Sequence, residues 1–415
     1  MPQDPTTTEA QSLFERGHEK FTQGDFREAV ECFSRAIKLR PTIAAGYQYR
    51  AMAQLEMGNR IEALNDLDTA IRLKSDDPML YAERARILFR QMAYANAIAD
   101  CDRALKLDPG LAPLYGLRGD CHAAFGDTNR AFSDFAKAIE TDPDQAANYR
   151  LSRADLYLEL EDYDSALDDV QAAINANPEN AQAYQTRGLI HRAMNDNTAA
   201  ESDLTKALEL EPKRMLARLT RAMVRMAAGK YALAATDCDA VLKDSPKMAK
   251  ALELRGICRK NLRDFPGSLE DYNEAIKLNP DSPMAYNLRG GLHYQQHKYN
   301  RAIQDHMAAL QRDPTDAGTF NQLAWIWATA PDPDIRNGER AKECSTRACE
   351  LAEWQEASYL DTLAAACAEM GDYDDAVKWM EKAIQMIPDE QQSDYEIRLN
   401  TYRDGKPHRA KPMAE

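Results

Sequence analysis

Residues 10–41 read AQSLFERGHEKFTQGDFREAVECFSRAIKLRP. In the second half, Phe26, Ala29, Val30, Phe33, Ala36 and Ile37 recur at spacings of three and four, which places them on one face of a helix. Gly24-Asp25 ahead of that run breaks a preceding helix, and Pro41 closes the unit. The stretch therefore reads as two helices joined by a tight turn. The same turn returns as Gly126-Asp127 and Gly371-Asp372.

Working outward, the closing proline recurs at Pro109, Pro143, Pro178, Pro212, Pro246, Pro280 and Pro314, with Ser75 in the one gap. The step is 34 residues throughout, apart from one of 35 between Pro143 and Pro178. Eleven units begin at Ala10, Ala44, Pro78, Ala112, Ala147, Ala181, Met215, Ala249, Pro283, Ala317 and Ala357. The first helix of each carries one small residue, in the series Gly17, Ala51, Ala85, Gly119, Ala154, Gly188, Ala222, Gly256, Gly290, Ala324 and Ala364. The second helix carries another, from Ala29 and Ala63 through Ser268 to Ala376, and a third row runs from Ala36 to Ala383. Small side chains at fixed places let neighbouring backbones approach closely.

A helix–turn–helix of this length, with small, aromatic, small and proline slots, resembles the tetratricopeptide repeat family. The resemblance implies an all-α fold, a right-handed superhelical solenoid of stacked repeats. First helices would line a concave face that takes peptides or extended protein segments. The expected organisation is a disordered segment over 1–9, nine repeats over 10–316 and two divergent repeats over 317–388. A capping helix and a flexible tail follow over 389–415. The tenth unit departs from the pattern: Ala324 and Ala341 lie 17 apart where the other units have 12, so 330–338 is an enlarged loop. The run from Leu323 to Trp327, that from Tyr359 to Ala366 and the ending 398–407 resemble a C-terminal module of many bacterial proteins of this family. Gln392 to Arg403 is expected to cap the apolar end of the stack.

Composition narrows the function. The chain has 415 residues, 44% hydrophobic and 29% charged, a core-forming balance. No run approaches the roughly 18–20 apolar residues of a membrane helix, and the N-terminus has neither the basic nor the apolar region of a signal peptide. A net charge of −15 argues against nucleic acid or an anionic membrane as main partner. Eight cysteines without a CxxC pair point to a reducing compartment, so a cytoplasmic location is expected.

Two rows of charge stand out. Arg50, Arg84, Arg118, Arg153, Arg187, Arg221, Arg255 and Arg289 share one slot, and Asp66, Asp100, Asp134, Asp169, Asp203, Asp237, Asp271 and Asp305 each follow 16 residues later. Both rows end together after unit nine, where Leu323 and Leu363 face Cys344 and Trp379. A structural ladder of paired guanidinium and carboxylate groups is the expected role, since the matching counter-charge is already present. The other role, an arginine row gripping acidic peptides, would leave the aspartates unexplained.

Inward-facing positions of the first helices supply the candidate peptide groove: Leu189, Leu216, Leu219, Met223, Met226, Ile257 and Tyr294. Leu and Met there suit the apolar face of a partner segment. Arg86, Phe89 and Arg90 form a candidate basic spot. The Lys and Asn pairs with which a subclass of the family holds a C-terminal carboxylate are not matched at Gln48, Met52, Ala82 and Arg86. His293, His297 and His306 have spacing that could hold zinc but lack the rest of a site, and packing is the expected role. Cys101 with Cys121, and Cys238 with Cys258, are expected to touch across neighbouring units as buried thiols.

No phosphate loop, nucleophile elbow or HExxH motif occurs, so no catalysis, cofactor or metal is expected. The expected function is a protein-interaction adaptor that binds a peptide or protein segment in the groove. The alternative is a self-associating scaffold that works through its rim, convex face or ends. The enlarged loop at 330–338 is a third candidate contact point.

Overall fold

The computed structural model describes residues 5–410. It contains 23 α-helices, two short 3-10 turns and, among the described residues, no strand. The chain folds as two compact units that divide between Pro212 and Lys213. None of the described helices is long and apolar enough to cross a membrane.

The first unit holds six helix pairs, from Pro5–Thr22 with Phe26–Leu39 to Ala181–Ala193 with Asn197–Leu210. Residues 5–9, expected to be disordered, are the opening turns of its first helix; proline is tolerated there because a first-turn N–H has no intrahelical partner. Residues 1–4 of that segment lie outside the described residues. Within the pairs, Asp25, Asp127, Asp162 and Asp196 each cap a second helix by accepting the N–H of the residue three positions on. The residue before each cap turns the chain through the left-handed region. Gly24 and Gly126 do so at φ +81°, while Met92, Glu161 and Asn195 take the same position at φ 59–62°.

Complementary volumes set the helix–helix distance. A methyl group added at Gly17 or Gly119 would lie 2.7 or 2.9 Å from the ring of Phe33 or Phe135. Where the slot is alanine, at Ala51, Ala85 and Ala154, the residue sixteen positions on is Leu67, Cys101 or Val170. A ring therefore faces glycine here, apart from Leu204 at Gly188, and a side chain without a ring faces alanine, which keeps the seam close-packed.

The second unit holds five pairs, from Met215–Ala227 with Tyr231–Asp244 to Ala357–Glu369 with Tyr373–Ile384, and then the helix Ser393–Arg403. Its seam follows the same rule, with Gly256 against Tyr272 and Gly290 against His306. The final helix buries Leu399 and Tyr402 on a core that includes Leu323, Trp327, Leu360, Leu363 and Met380. Residues 404–410, expected to begin a flexible tail, turn back instead. The Ala410 N–H donates to the Thr329 carbonyl at 2.8 Å, and His408 packs 5.7 Å from the Trp325 ring. Arg409 lies 2.6 Å from one oxygen of Glu369, whose other oxygen accepts from Arg336 of the enlarged loop at 2.9 Å. Arg336 also donates to the carbonyls of Ala330 and Pro331, so the loop is tied down at both its start and its end. The remainder of the expected tail, 411–415, lies outside the described residues.

Candidate functional site

In the first unit, Arg50, Arg84, Arg118, Arg153 and Arg187 each meet their aspartate through two parallel hydrogen bonds, Nε to Oδ2 at 2.6–2.9 Å and Nη2 to Oδ1 at 2.6–2.7 Å. Arg221, Arg255 and Arg289 do the same in the second unit, at 2.9–3.0 and 2.6–2.7 Å. All eight aspartates are buried. A tyrosine three residues before the arginine lies 5.4–5.9 Å from the guanidinium at Tyr47, Tyr81, Tyr115, Tyr184 and Tyr286.

Two further contacts of this seam were not read from the sequence. The third edge of the guanidinium reaches back to the second helix of the preceding repeat, from Arg50 to Ser34, Arg84 to Asp68, Arg118 to Asp102 and Arg187 to Gln171. In the second unit Arg255 reaches Asp239 and Arg289 reaches Asn273. Each of these arginines thus ties two repeats together. The signal was a polar residue sixteen positions before each arginine; Lys137 breaks that row, and there Arg150 donates to Asp169 instead. The second contact is at the aspartate. His122, His191 and His293 sit 3.6–3.9 Å from Asp134, Asp203 and Asp305, and Arg225 and Arg259 fill the same slot beside Asp237 and Asp271. Aspartate hydrogen bonds hold Arg84, Arg118 and Arg255 even further above their ordinary range. With every edge engaged, these guanidinium groups have little left for a ligand.

The candidate groove divides. Leu189, in the first unit, is half-buried. In the second unit Leu216 is 52% exposed, but Leu219 is only 8% exposed and packs in a core with Ala222, Cys238 and Leu252. Leu219 is therefore a packing residue: its position turns toward the next repeat's first helix, not the open face. Met223 and Met226 are half-buried against the same core, and Ile257 is half-buried on the next first helix. Tyr294 accepts the Trp325 indole N–H at 3.0 Å. On Pro78–Arg90, Arg86 and Arg90 are exposed, and the Phe89 ring lies 5.7 Å from Tyr94.

The three histidines have separate partners: His293 faces Asp305, His297 pairs with Tyr299 at 2.9 Å, and His306 with Asn287 at 3.1 Å. Among the described residues no group of three His, Cys, Asp or Glu side chains could hold a metal ion. The eight cysteines are free thiols. Burial pushes Cys101, Cys121 and Cys238 up to about 12 and Cys258 to about 11, with the neighbouring cysteine adding to the rise at Cys101 and Cys238. Such thiols stay protonated at neutral pH and are poor nucleophiles.

One slot behaves unlike the packing positions. Immediately after the small residue of the first helix in repeats one to ten come His18, Met52, Arg86, Asp120, Asp155, Leu189, Met223, Ile257, Gly291 and Trp325, all at least partly open to solvent, whereas Ala365 of the eleventh repeat is buried. Partial loss of hydration pushes the half-buried Asp120 and the more exposed Asp155 carboxyl groups up to about 6, with Asp155 adding to the rise at Asp120 and Glu159 to that at Asp155.

Gly291 in that slot opens a cleft of about 460 Å³ in the second unit. Its walls come from Tyr294, His306, Asn321, Gln322, Trp325, Ile326, Ser358, Asp361, Thr362 and Arg398. Arg398 of the final helix holds Asp361 through two bonds at 2.9 and 2.8 Å. That pairing breaks the repeat period, which is why the sequence did not reveal it.

Comparison with known proteins agrees with the architecture. Models described as "Tetratricopeptide repeat" match residues 10–43, 49–112, 112–145, 151–213, 186–249 and 357–390, and one described as "TPR repeat" matches 264–297. The chain is 25% identical over 180 residues to a DnaJ homolog subfamily C member 3 homolog of Dictyostelium discoideum, covering 40% of this chain and 36% of that protein. It is 25% identical over 189 residues to the human mitochondrial import receptor subunit TOM70, covering 44% and 31%. The match thus spans about a third of the length of these curated relatives. Among solved structures, yeast Tom70 aligns over 95% of this chain and 96% of its own, at 14% identity and a TM-score of 0.47. With repeat models matching well over half of its residues, the chain belongs to the tetratricopeptide repeat family.

Proposed function

We propose that the protein is a non-catalytic adaptor that binds an extended segment of a partner protein along the open face of its first helices. The observation that carries this reading is the contrast between two adjacent slots within one chain. The small-residue slot is glycine or alanine in every repeat, because packing dictates it. In repeats one to ten the next slot ranges over histidine, methionine, arginine, aspartate, leucine, isoleucine, glycine and tryptophan; only the last repeat has alanine there. Side chains that packing constrains less tightly and that recur along one helix face suit recognition of another chain. Relatives named as a co-chaperone and an import receptor are in keeping with it.

The alternative, a scaffold contacting partners through its rim, draws on Met57, Phe125, Leu160 and Met194. These exposed apolar residues stand where four first helices of the first unit end. Photo-cross-linking probes separate the two. With a probe at Arg86 or Asp155, an adaptor yields protein cross-links from the source lysate that probes at Lys137 or Phe125 do not. Cross-links from Phe125 alone would transfer the function to the rim.

A further inference from the structure

The cleft opened by Gly291 has chemistry of its own. A side chain built at Gly291 would meet nothing within 4 Å, whereas the same slot holds Met52, Leu189 and Ile257 elsewhere. Trp325, Tyr294 and Ile326 give the cleft apolar walls. Two hydrogen-bond acceptors remain unused on it. The Asn321 side-chain oxygen is shut from water and has no hydrogen-bond partner, an unfavourable state that an incoming donor would relieve.

The second acceptor follows from the neighbours of His306. Asn287 donates its amide N–H groups to Asp316 and Thr319. Its oxygen must therefore accept from Nδ1 of His306, at 3.1 Å. Burial holds that imidazole down to about 4, so it is neutral and its Nε2 carries a bare lone pair. Of the carboxylates near this ring, Asp305 is neutralised by Arg289, whereas Asp316 accepts only from Asn287 and Thr319 and keeps its negative charge. Arg398, the cation on the cleft wall, is neutralised by its two bonds to Asp361. An aromatic-walled cleft with two spare acceptors and one nearby carboxylate, Asp316, calls for a donor-rich cation on an apolar stem.

We propose that this cleft receives a lysine side chain from a basic extended segment of a partner protein, with the methylene stem along Trp325 and Tyr294 and the ammonium group donating to Asn321 and His306. The proposal rests on the adaptor reading and names its partner's chemistry; the net charge of −15 favours the same kind of partner.

The probe is a peptide of alternating glycine and lysine, compared with one in which norleucine replaces lysine and so keeps the stem without the charge. The full chain, labelled with 15N in its four tryptophans, reports through the Trp325 indole signal, assigned by its loss in Trp325→Phe. The lysine peptide should shift that signal and the norleucine peptide should not. Gly291→Met fills the cleft with a residue the slot holds elsewhere, and should weaken binding about tenfold or more, equivalent to about 1.4 kcal/mol, without changing the melting temperature. If Gly291→Met melts early, Asn321→Leu removes the acceptor instead and should weaken binding likewise. Equal binding of the norleucine peptide, undiminished binding by a folded variant, or no shift at millimolar lysine peptide would each overturn the assignment. First-helix cross-links that ignore Gly291→Met would leave the adaptor reading standing without this site. Absence of first-helix cross-links would remove the adaptor reading itself.

Discussion

Asp203 accepts two hydrogen bonds from Arg187, lies 3.6 Å from His191 and is almost closed to water. Arg187 keeps one further bond, to Gln171 on the preceding repeat. Removing the carboxylate strands a guanidinium that the fold has partly dehydrated; removing both groups leaves only Gln171 and His191 each short of one partner. Asp203→Ala should therefore cost about 2–3 kcal/mol, toward the low end for a buried pair because Arg187 is partly exposed. Adding Arg187→Ala should cost less than the sum of the two single changes by at least about 1 kcal/mol. Urea unfolding of the four proteins measures that coupling, and strictly additive losses would show that the two groups act independently.

The turn between paired helices is where local sequence and backbone geometry meet most directly. Glycine takes the left-handed position in Gly24, Gly58, Gly126, Gly229 and Gly371, but Met92, Glu161, Asn195, Arg263 and His297 take it in the other repeats that share this turn. A side chain there crowds its own carbonyl, at a cost of about 1 kcal/mol. Met92 is also 75% exposed, so it offsets none of that cost by burial. Met92→Gly is expected to raise stability by about 0.5–1 kcal/mol, read as a higher melting temperature. Elements of this kind were legible in the sequence because their signals lie within one period: the turn, the small-residue slots and the paired Arg and Asp rows. What escaped was whatever departs from the period or reaches beyond it. Leu219 looked like an inward apolar residue because spacing along one helix cannot tell an open face from one covered by the next repeat. Asp361 meets Arg398 across 37 residues, and Arg409 reaches the Ala328 carbonyl across 81. No fixed spacing announces such pairs.

Across the whole molecule, acidic groups outnumber basic ones by 67 to 52, and not all of them are neutralised by pairing. Asp120 and Asp155, on neighbouring first helices of the first unit, titrate near 6 instead of 3.8. Above pH 6 both are charged in surroundings that disfavour charge. As pH falls through 6 the folded state takes up protons before the unfolded chain does, so their contribution to stability improves and is complete below about 4. Asp120→Asn/Asp155→Asn should accordingly exceed the native chain in stability at pH 7, by about 1 kcal/mol after solvent screening. The gap should narrow toward pH 5 in urea titrations, whereas a gap independent of pH would assign the effect to packing. The knot in which Glu369 holds both Arg336 and Arg409 bears on the molecule's history. A duplicated repeat inserted ahead of repeat ten leaves that knot whole, because none of its strands is moved apart. An insertion between residues 338 and 368 would separate Arg336 from Glu369, and one between 370 and 408 would separate Glu369 from Arg409. The array can lengthen by gene duplication through its regular repeats, while its last two repeats and final helix must be inherited as one block.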